Sequence, residues 1–491
     1  MQDSNSNPQP HSKLEATQLG LKNSPGYRWF ILANVSIGTF MATLDSSIVN
    51  VALPTMSGRL HADLSALQWV VSAYLLTISS LLPIFGRTAD LLGRKRIYSL
   101  GFIVFTLGSL LCGLSTNLWF LVTMRIFQAI GAAMLMANSA AIVTAAFPPQ
   151  ERGRALGMTG TVVALGSLTG PAIGGLLIGA ASWRAIFFVN IPIGVIGYIA
   201  ARIILPQDKP QGSGERFDFF GAFLFTLGMV ALLYAFSNGQ DQGWTSMPIL
   251  LGIFAGIVLL TVFFIAELKV TNPMIDLTLF RNRPFLAGNL SGLLSFVASF
   301  SNTMLMPFYL QHVLNYNSSQ VGLFMTSFPL VMAVVAPISG YVSDKIGPLA
   351  LTTGGLAVTG LGFLYLSTVS ATATAWQVLP GPILNGLGAG MFNSPNNSSV
   401  MSSVPPRKLG LAGGINALVR NVGMVLGIAF SVSLFENRQA AYLSSLPHPT
   451  ALEQTLAFMS AYHTVMLAAA GIAFIAAFIS LNRKGYARPQ A

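Results

Sequence analysis

The sequence predicts an all-α polytopic membrane protein with about fourteen transmembrane helices. Of its 491 residues, 53% are hydrophobic and only 8% are charged, whereas a soluble domain usually carries about 25% charged residues. Apolar runs of about 20 residues recur along the whole chain, and each is long enough to cross a ~30 Å hydrocarbon core as a helix. Many of the 48 Gly and 26 Pro residues fall in these runs, which membrane helices tolerate because neighbouring helices satisfy freed backbone groups.

The predicted spans follow one another with short polar connections. We place them at residues 28–53, 66–86, 97–115, 118–144, 154–179, 186–205, 218–237, 247–266, 285–312, 319–342, 349–369, 375–399, 409–435 and 459–482. The polar segment before the first span lacks the pattern of a secretory signal, so the first span is expected to act as an uncleaved insertion signal. The single Cys112 lies inside the third span and cannot form an intrachain disulfide.

The basic residues are distributed asymmetrically around the predicted spans. Arg59, Arg184 and Arg438 fall in loops on one side, and Arg125 and Arg420 fall within spans. The other Lys and Arg residues lie in the tails and in the loops after even-numbered spans, which the positive-inside rule assigns to the cytoplasm. The membrane topology therefore accounts for the net charge of +11. The charge does not indicate a nucleic-acid partner. We expect an inner-membrane protein with both termini cytoplasmic and with anionic lipid headgroups around its basic loops.

The chain divides into two similar halves that an insert separates. The skeleton Gly-x-x-x-Asp-x-x-Gly follows the second span at residues 86–93 and returns after the tenth span at 340–347. Such parallel repeats are typical of transporters with a substrate site near the membrane midplane. The predicted parts are a disordered cytoplasmic tail (1–27), an amino-terminal six-helix bundle (28–206), a linker with two extra transmembrane helices (207–284), a carboxyl-terminal six-helix bundle (285–482) and a cytoplasmic tail (483–491).

Five motifs carry a resemblance to a known family. They are Leu44-Asp45-Ser-Ser-Ile48-Val49-Asn50 in the first span, Gly86 to Arg96 after the second, Arg125-Ile-Phe-Gln128 in the fourth, Gly166 to Gly175 in the fifth, and Trp183-Arg184 to Asn190-Ile-Pro192 at the sixth. Together they resemble the major facilitator superfamily and, within it, the fourteen-span drug:proton antiporter group. The resemblance implies a major facilitator fold with two six-helix bundles plus two inserted helices, and it implies proton-coupled export.

Asp45 and Arg125 are the residues that we predict to couple protons or bind substrate. Asp45 is the one carboxylate well inside a span, and an ionised carboxylate in hydrocarbon is costly and usually functional. Because it can hold a proton or a cationic substrate but not both, it would supply the competition that antiport needs. The resemblance implies that Arg125 tunes a nearby acidic group. A purely structural role is the alternative for both. Further candidates for substrate contact or a structural role are Asn34, Met41, Gln128, Asn138 and Arg420.

Two motifs are expected to serve conformational change. The predicted gating residues, at cytoplasmic helix ends, are Gly86, Asp90, Gly93, Arg94 and Asp344. Ion pairs at such positions can hold one gate conformation across the two halves; the alternative is that their charge serves topology alone. The antiporter motif of the fifth span consists of Gly166, Gly170, Pro171, Gly174 and Gly175. Its small residues permit close helix approach and its proline favours a kink, either as a flexible seal or as simple packing.

The leading hypothesis is a proton-coupled antiporter that exports lipophilic, cationic drugs or toxic compounds by alternating access. One alternative on the same fold is an exporter of a lipid, a siderophore or an endogenous metabolite. An alternative from another class is a non-transporting receptor or scaffold. The sequence contains no phosphate-binding loop, metal cluster or catalytic triad pattern, so we expect no enzyme, cofactor or bound metal. The expected partners are a small-molecule substrate, protons and the lipid bilayer, and the expected state is a monomer.

Overall fold

The computed structural model describes residues 26–148, 151–206, 219–268, 277–405, 409–444, 446 and 448–482. Most of both predicted tails and of the polar segments that flank the insert lies outside these residues. The long helices, in chain order, are α1 (Tyr27–Leu60), α2 (Leu64–Leu92), α3 (Arg94–Gly113), α4 (Leu118–Ala146), α5 (Arg152–Ala180), α6 (Ala185–Ile204), α7 (Phe219–Gln242), α8 (Met247–Glu267), α9 (Arg283–Val313), α10 (Ser318–Ile346), α11 (Pro348–Leu366), α12 (Pro380–Ser402), α13 (Leu409–Leu443) and α14 (Ala451–Leu481).

Every predicted span coincides with one of these helices. Within the described ranges, twelve helices are long and apolar enough to cross a membrane. The apolar stretch of α7 is shorter, Phe220–Phe236, and α12 carries the polar run Asn393-Ser-Pro-Asn-Asn397. The all-α membrane fold is therefore confirmed, with twelve spans meeting this criterion.

Several helices extend beyond the predicted spans. Helix α1 continues to Leu60 and ends where His61 adopts the left-handed conformation, with φ at 50°. Helix α14 begins at Ala451 because Thr450 and Glu453 form a capping box. Hydropathy marks where a helix crosses hydrocarbon, whereas the backbone hydrogen bonds continue until a cap or turn replaces them. The differences at the helix ends follow from this distinction.

The two copies of the Gly-x-x-x-Asp-x-x-Gly skeleton share one backbone geometry. Gly93 ends α2 with φ at 96°, and Gly347 ends α10 with φ at 89°. Both angles lie in a region that glycine adopts without the steric cost a side chain would add. The final glycine of each copy is therefore the residue that lets the chain turn sharply from one long helix into the next.

Helices α1–α6 pack mainly on one another, and so do α9–α14; we refer to these groups as the amino-terminal and carboxyl-terminal halves. Helices α7 and α8 pair with each other, and α7 also contacts α2 and α13. Thr226 of α7 donates a hydrogen bond to the Ser80 carbonyl of α2 at 3.5 Å. The insert therefore lies beside the α2–α13 contact between the two halves.

The two halves meet where α5 packs on α10 and where α2 packs on α13. The α5–α10 contact lies at the ends that the charge distribution predicts to face outward. There the Ser319 hydroxyl donates to the Gly175 carbonyl at 3.2 Å, and the hydroxyls of Thr55 and Ser318 lie 3.3 Å apart. A Cβ atom added to Gly322 would lie 2.9 Å from the Gly175 Cα. Close backbone approach at this glycine pair therefore closes the predicted outer end.

Candidate functional site

An ion pair lies fully buried inside the amino-terminal half. Asp45 of α1 and Arg125 of α4 each have no solvent exposure, and Nη1 of Arg125 lies 2.5 Å from Oδ2 of Asp45. The two residues are 80 positions apart in the sequence, so tertiary packing alone brings them together. Within the described part of the chain, this is the one ion pair whose partners are both fully buried.

Two side-chain amides bind the other carboxylate oxygen of Asp45. Nε2 of Gln128 donates to Oδ1 at 2.9 Å, and Nδ2 of Asn190 donates to the same oxygen at 2.8 Å. Gln128 lies one turn after Arg125 on α4, and Asn190 comes from α6. Three donors from two helices therefore surround the Asp45 carboxylate.

Arg125 is held by groups from three directions. Its Nε donates to the Val70 carbonyl of α2 at 3.1 Å, and its Nη1 also donates to Oε1 of Gln128 at 2.8 Å. The guanidinium lies over the Tyr74 ring, 3.9 Å from the ring centre, which adds a cation–π contact. Its Nη2 has no hydrogen-bond partner among the described residues. The network therefore retains one unused buried donor beside the carboxylate.

Helix α3 completes the network through Ser109 and Cys112. The Ser109 hydroxyl accepts from Gln128 at 3.2 Å and from Asn190 at 3.1 Å, and it donates to the Phe187 carbonyl at 2.8 Å. The Cys112 thiol lies 3.7 Å from Oε1 of Gln128. Side chains and carbonyls of five helices, α1, α2, α3, α4 and α6, thus converge on one buried charge pair.

The sequence interpretation did not identify every member of this network as a site residue. Asn190 belongs to the motif that starts at Trp183, and its place in that motif is the one sequence signal for it. Tyr74 and Ser109 lie in apolar runs in which one hydroxyl is an ordinary occurrence. Their role follows from which helices pack together, and a single sequence does not give that information.

Three of the other candidates form no hydrogen bond to the ion pair. Asn34 of α1 is buried and donates to the Gly197 carbonyl of α6 at 3.0 Å. Met41 is fully buried in the core. Asn138 donates to the Met134 carbonyl of its own helix at 2.8 Å. The hydrogen bond of Asn34 joins two helices and that of Asn138 satisfies the side chain within its own helix, and neither goes to Asp45.

Four predicted gating residues, Asp90, Gly93, Arg94 and Asp344, lie at helix ends on the predicted cytoplasmic face, whereas Gly86 lies inside α2, six residues before its end. Asp90 pairs with Arg94 across the Gly93 turn at 2.9 Å, and Arg94 also reaches the Ala141 carbonyl of α4 at 3.4 Å. These contacts stay within the amino-terminal half. In the second copy of the skeleton, Asp344 is exposed.

The span-five glycines face two different helices. Gly166, Gly170 and Gly174 lie against Thr43, Ser47 and Ile48 of α1, whereas Gly175 lies against α10 of the other half. The Ser47 hydroxyl donates to the Gly166 carbonyl at 3.0 Å. The motif therefore packs α5 on α1, the helix that carries Asp45, and also forms part of the contact between the halves.

The buried ion pair joins α1 and α4 through its charges, so the joint depends on the protonation state of Asp45. Each ion loses several kcal/mol of hydration free energy on burial, and mutual attraction with hydrogen bonds has to offset that loss. Transfer of a proton to the Asp45 carboxylate would remove the charge that attracts Arg125 and would weaken the joint between α1 and α4. The pair is thus suited to convert one proton transfer into a change in helix packing.

Membrane-spanning helices in two packed halves define the class of protein, which is a polytopic membrane transporter. A family model described as "Major Facilitator Superfamily" matches residues 35–428 and also 290–489. The chain belongs to this superfamily.

Known proteins resemble the chain over most of its length. It is 39% identical over 408 residues to the riboflavin transporter RibZ of Clostridioides difficile, covering 83% of this chain and 88% of that protein. It is 35% identical over 419 residues to the multidrug resistance protein Stp of Mycobacterium tuberculosis, covering 85% and 77%. A solved structure of the POT family transporter PepTSo matches with a TM-score of 0.67 at 16% identity, over 93% of this chain and 97% of that one, and shows a shared fold. The chain is therefore a multi-pass transporter of small molecules and not an enzyme.

Proposed function

We propose that this protein is a proton-coupled antiporter of the fourteen-span drug:proton group, which exports lipophilic small molecules by alternating access. The observation that carries the proposal is the buried Asp45–Arg125 pair and its network across five helices. A carboxylate that joins helices through its charge changes their packing when it takes up a proton. We further propose that the protein works as a monomer in the inner membrane, with both termini in the cytoplasm.

In this mechanism Asp45 couples protons and does not bind the substrate's charge directly. Its carboxylate is unexposed and already accepts from Arg125, Gln128 and Asn190. Protonation from the outer side would loosen these contacts, and release of the proton to the cytoplasm would restore them. The proton and the substrate then favour different conformations of the two halves. They do not compete for the same carboxylate oxygen.

The names of the relatives support transport of drugs or of a small metabolite. Two similar proteins are named as a multidrug resistance protein and a multidrug transporter, and another is named as a riboflavin transporter. The 39% identity to the riboflavin transporter favours a second candidate, transport of an endogenous aromatic metabolite on the same fold. Both candidates use the same proton-coupling site.

The test is flux in proteoliposomes that contain the purified protein. Ethidium and riboflavin would be compared as substrates, with an imposed pH gradient and with that gradient collapsed by an ionophore. Gradient-dependent movement of either compound is the expected result, and the preferred compound decides between the two candidates. Movement that is insensitive to the gradient would disprove proton coupling. An absence of flux of both compounds would disprove the substrate class.

Replacing Gly322 with Ala should hinder closure of the predicted outer end and lower transport several-fold. The added Cβ would lie 2.9 Å from the Gly175 Cα and closer still to the Pro171 carbonyl oxygen, so the halves have to separate. Labelling of a Thr55→Cys variant by a membrane-impermeant maleimide would measure the opening, because the native Cys112 is buried.

The matched control is Gly471→Ala in α14, where an added Cβ meets nothing within 4 Å. It makes the same chemical change without a clash and should leave labelling and flux as in the parent protein. Equal labelling of the two alanine variants would show that the Gly175–Gly322 contact does not seal the outer end.

A further inference from the structure

Arg420 of α13 is a cation inside the carboxyl-terminal half that the proposed coupling mechanism does not use. It is half-buried and lies one helical turn after Asn416, on the same face of α13. Nδ2 of Asn416 donates to Oδ1 of Asn397 on α12 at 2.9 Å. This bond directs the shared face of α13 toward α12.

Among the described residues, Arg420 has no counter-charge and no hydrogen-bond acceptor of the kind that holds Arg125. Within the described residues it forms no ion pair and donates no hydrogen bond. Glu436, on the same helix, is sixteen residues away, which is about 24 Å along a helix. Asp344 lies exposed at the end of α10. A cation at membrane depth is costly without a partner, and such residues usually mark the path of a substrate or an ion.

Asparagines of the neighbouring helices lie near the level of Arg420. Gly423 and Gly427 of α13 pack against the Leu293 and Val297 carbonyls of α9. Because α9 and α13 run in the same direction, Asn289 of α9 lies one turn before this contact, at the level of Arg420. On α12, which runs in the opposite direction, Asn393 lies one turn before Asn397.

One nearby amide group has unused hydrogen-bonding capacity. Oδ1 of Asn289 is buried without a hydrogen-bond partner among the described residues, and its side chain is only 3% exposed. As an acceptor it can orient the Arg420 guanidinium, whose other N–H groups stay available to an anion. Asn397 is exposed although it lies within a span. An exposed polar side chain at this depth is expected to face a water-filled cavity and not lipid. Arg420, Asn289 and Asn397 therefore lie on helices that pack on one another, α13, α9 and α12.

We propose that Arg420 and these asparagines form a binding site for an anionic group, a carboxylate or a phosphate, on the transported compound. The proposal rests on the transport function proposed above and adds the charge of the substrate. A guanidinium binds such groups through two parallel hydrogen bonds, which a neutral or cationic compound cannot accept in the same way. The site therefore favours acidic or zwitterionic lipophilic compounds, whereas the sequence favoured cations.

The test compares a zwitterionic carboxyrhodamine with its methyl ester, which differ only in the free carboxylate. Fluorescence polarisation would measure the binding of each dye to the purified protein in detergent, without a pH gradient. The wild type is expected to bind the acid about tenfold more tightly, as one charge-assisted contact allows. Arg420→Gln should remove this preference and leave ester binding unchanged. Arg420→Lys should retain part of it, because it keeps the charge but loses the planar fork.

Arg438→Gln is the matched control, since it makes the same change on the same helix at an exposed position. It should bind both dyes as the wild type does, and thermal unfolding would verify that all variants are folded. Equal binding of acid and ester by the wild type, including no binding of either, would overturn the proposal. An equal loss of both dyes in Arg420→Gln would also overturn it.

Nanodiscs distinguish a substrate carboxylate from a lipid headgroup. The acid preference should be the same in phosphatidylcholine discs with and without phosphatidylglycerol. Its loss in the anionic discs would assign Arg420 to a lipid phosphate and overturn the substrate assignment. Because binding needs no gradient, failure of proton-driven flux with an intact acid preference would count against antiport alone.

Discussion

Replacing Asp45 with Asn is expected to abolish gradient-driven transport while the protein still exchanges substrate across the membrane. The Asn side chain has nearly the same shape and can still accept from Gln128 and Asn190 through its amide oxygen. It cannot take up a proton and gives Arg125 no opposite charge. The coupled step therefore loses its proton carrier. The variant should also be less stable, because Arg125 stays buried without a counter-charge, but substrate binding and rocking of the halves remain.

Two proteoliposome measurements separate coupling from folding. Uphill accumulation under a pH gradient should fall to the level of empty liposomes. Exchange of labelled for unlabelled substrate without a gradient should continue, and this exchange is the internal evidence of a folded transporter. Uphill accumulation by the Asn variant at the wild-type level would show that Asp45 does not carry the coupled proton.

Asp63→Asn provides the matched control for this substitution. Asp63 is exposed and caps the start of α2 by accepting from the Ala66 amide at 3.1 Å. Asn is about as good a capping residue as Asp, so the same chemical change should leave stability and coupled flux unaltered. A loss of flux in this variant would show that the assay responds to carboxylate removal in general.

Replacing Arg125 with Met is expected to cause a large loss of stability. The change leaves the Asp45 carboxylate unexposed without its cation, and removing one partner of a buried ion pair typically costs about 3–5 kcal/mol. It also frees the Val70 carbonyl and removes the cation above the Tyr74 ring. We therefore expect a clearly lower midpoint of thermal unfolding in detergent and a larger aggregated fraction.

The double variant Asp45→Asn with Arg125→Met should be more stable than Arg125→Met alone. With the carboxylate neutralised, no unpaired buried charge remains, so the two effects should not add. The exposed Arg59→Met is the control, because a surface change of this kind is usually worth less than about 0.5 kcal/mol. Additive losses in the double variant would mean that the pair does not act as one electrostatic unit.

Composition and spacing made the fold and part of the site predictable. Soluble proteins usually carry a larger share of charged residues, and the repeated apolar runs have the length of a bilayer crossing. These two features were enough to predict the transmembrane helices. Asp45 and Arg125 stood out because ionisable residues inside spans are rare, and Gln128 because it lies within the same motif as Arg125. The structure places all three in contact.

The partners of that pair could not be predicted in the same way. Asn190 and Ser109 are polar residues of ordinary kinds, and their meaning depends on α6 and α3 packing beside α1. Asn34 shows the converse. Asn34 lies eleven residues before Asp45 on α1, a spacing of about three turns that places both on one face, yet it bonds to the Gly197 carbonyl and not to the ion pair. Helical periodicity gives the direction of a side chain, but it does not give the neighbour.

The contacts between the halves show the same limit. The sequence predicted that charges at the Asp90 turn could form ion pairs across the halves, whereas the structure pairs Asp90 with Arg94 in its own turn. Helices α5 and α10 of the two halves approach each other at Gly175 and Gly322, and Gly322 carries no sequence signal that separates it from the other glycines. Contacts between distant helices depend on the relative placement of whole bundles.

By itself the sequence determined that this protein is an all-helical membrane transporter with one conspicuous buried carboxylate, because hydrophobic length and the cost of intramembrane charge act locally along the chain. The tertiary structure alone decided that Asp45 is fully paired and that Arg420 has no counter-charge among the described residues. The physical reason is that the free energy of a buried charge depends on the groups around it, and those groups come from helices far apart in the sequence.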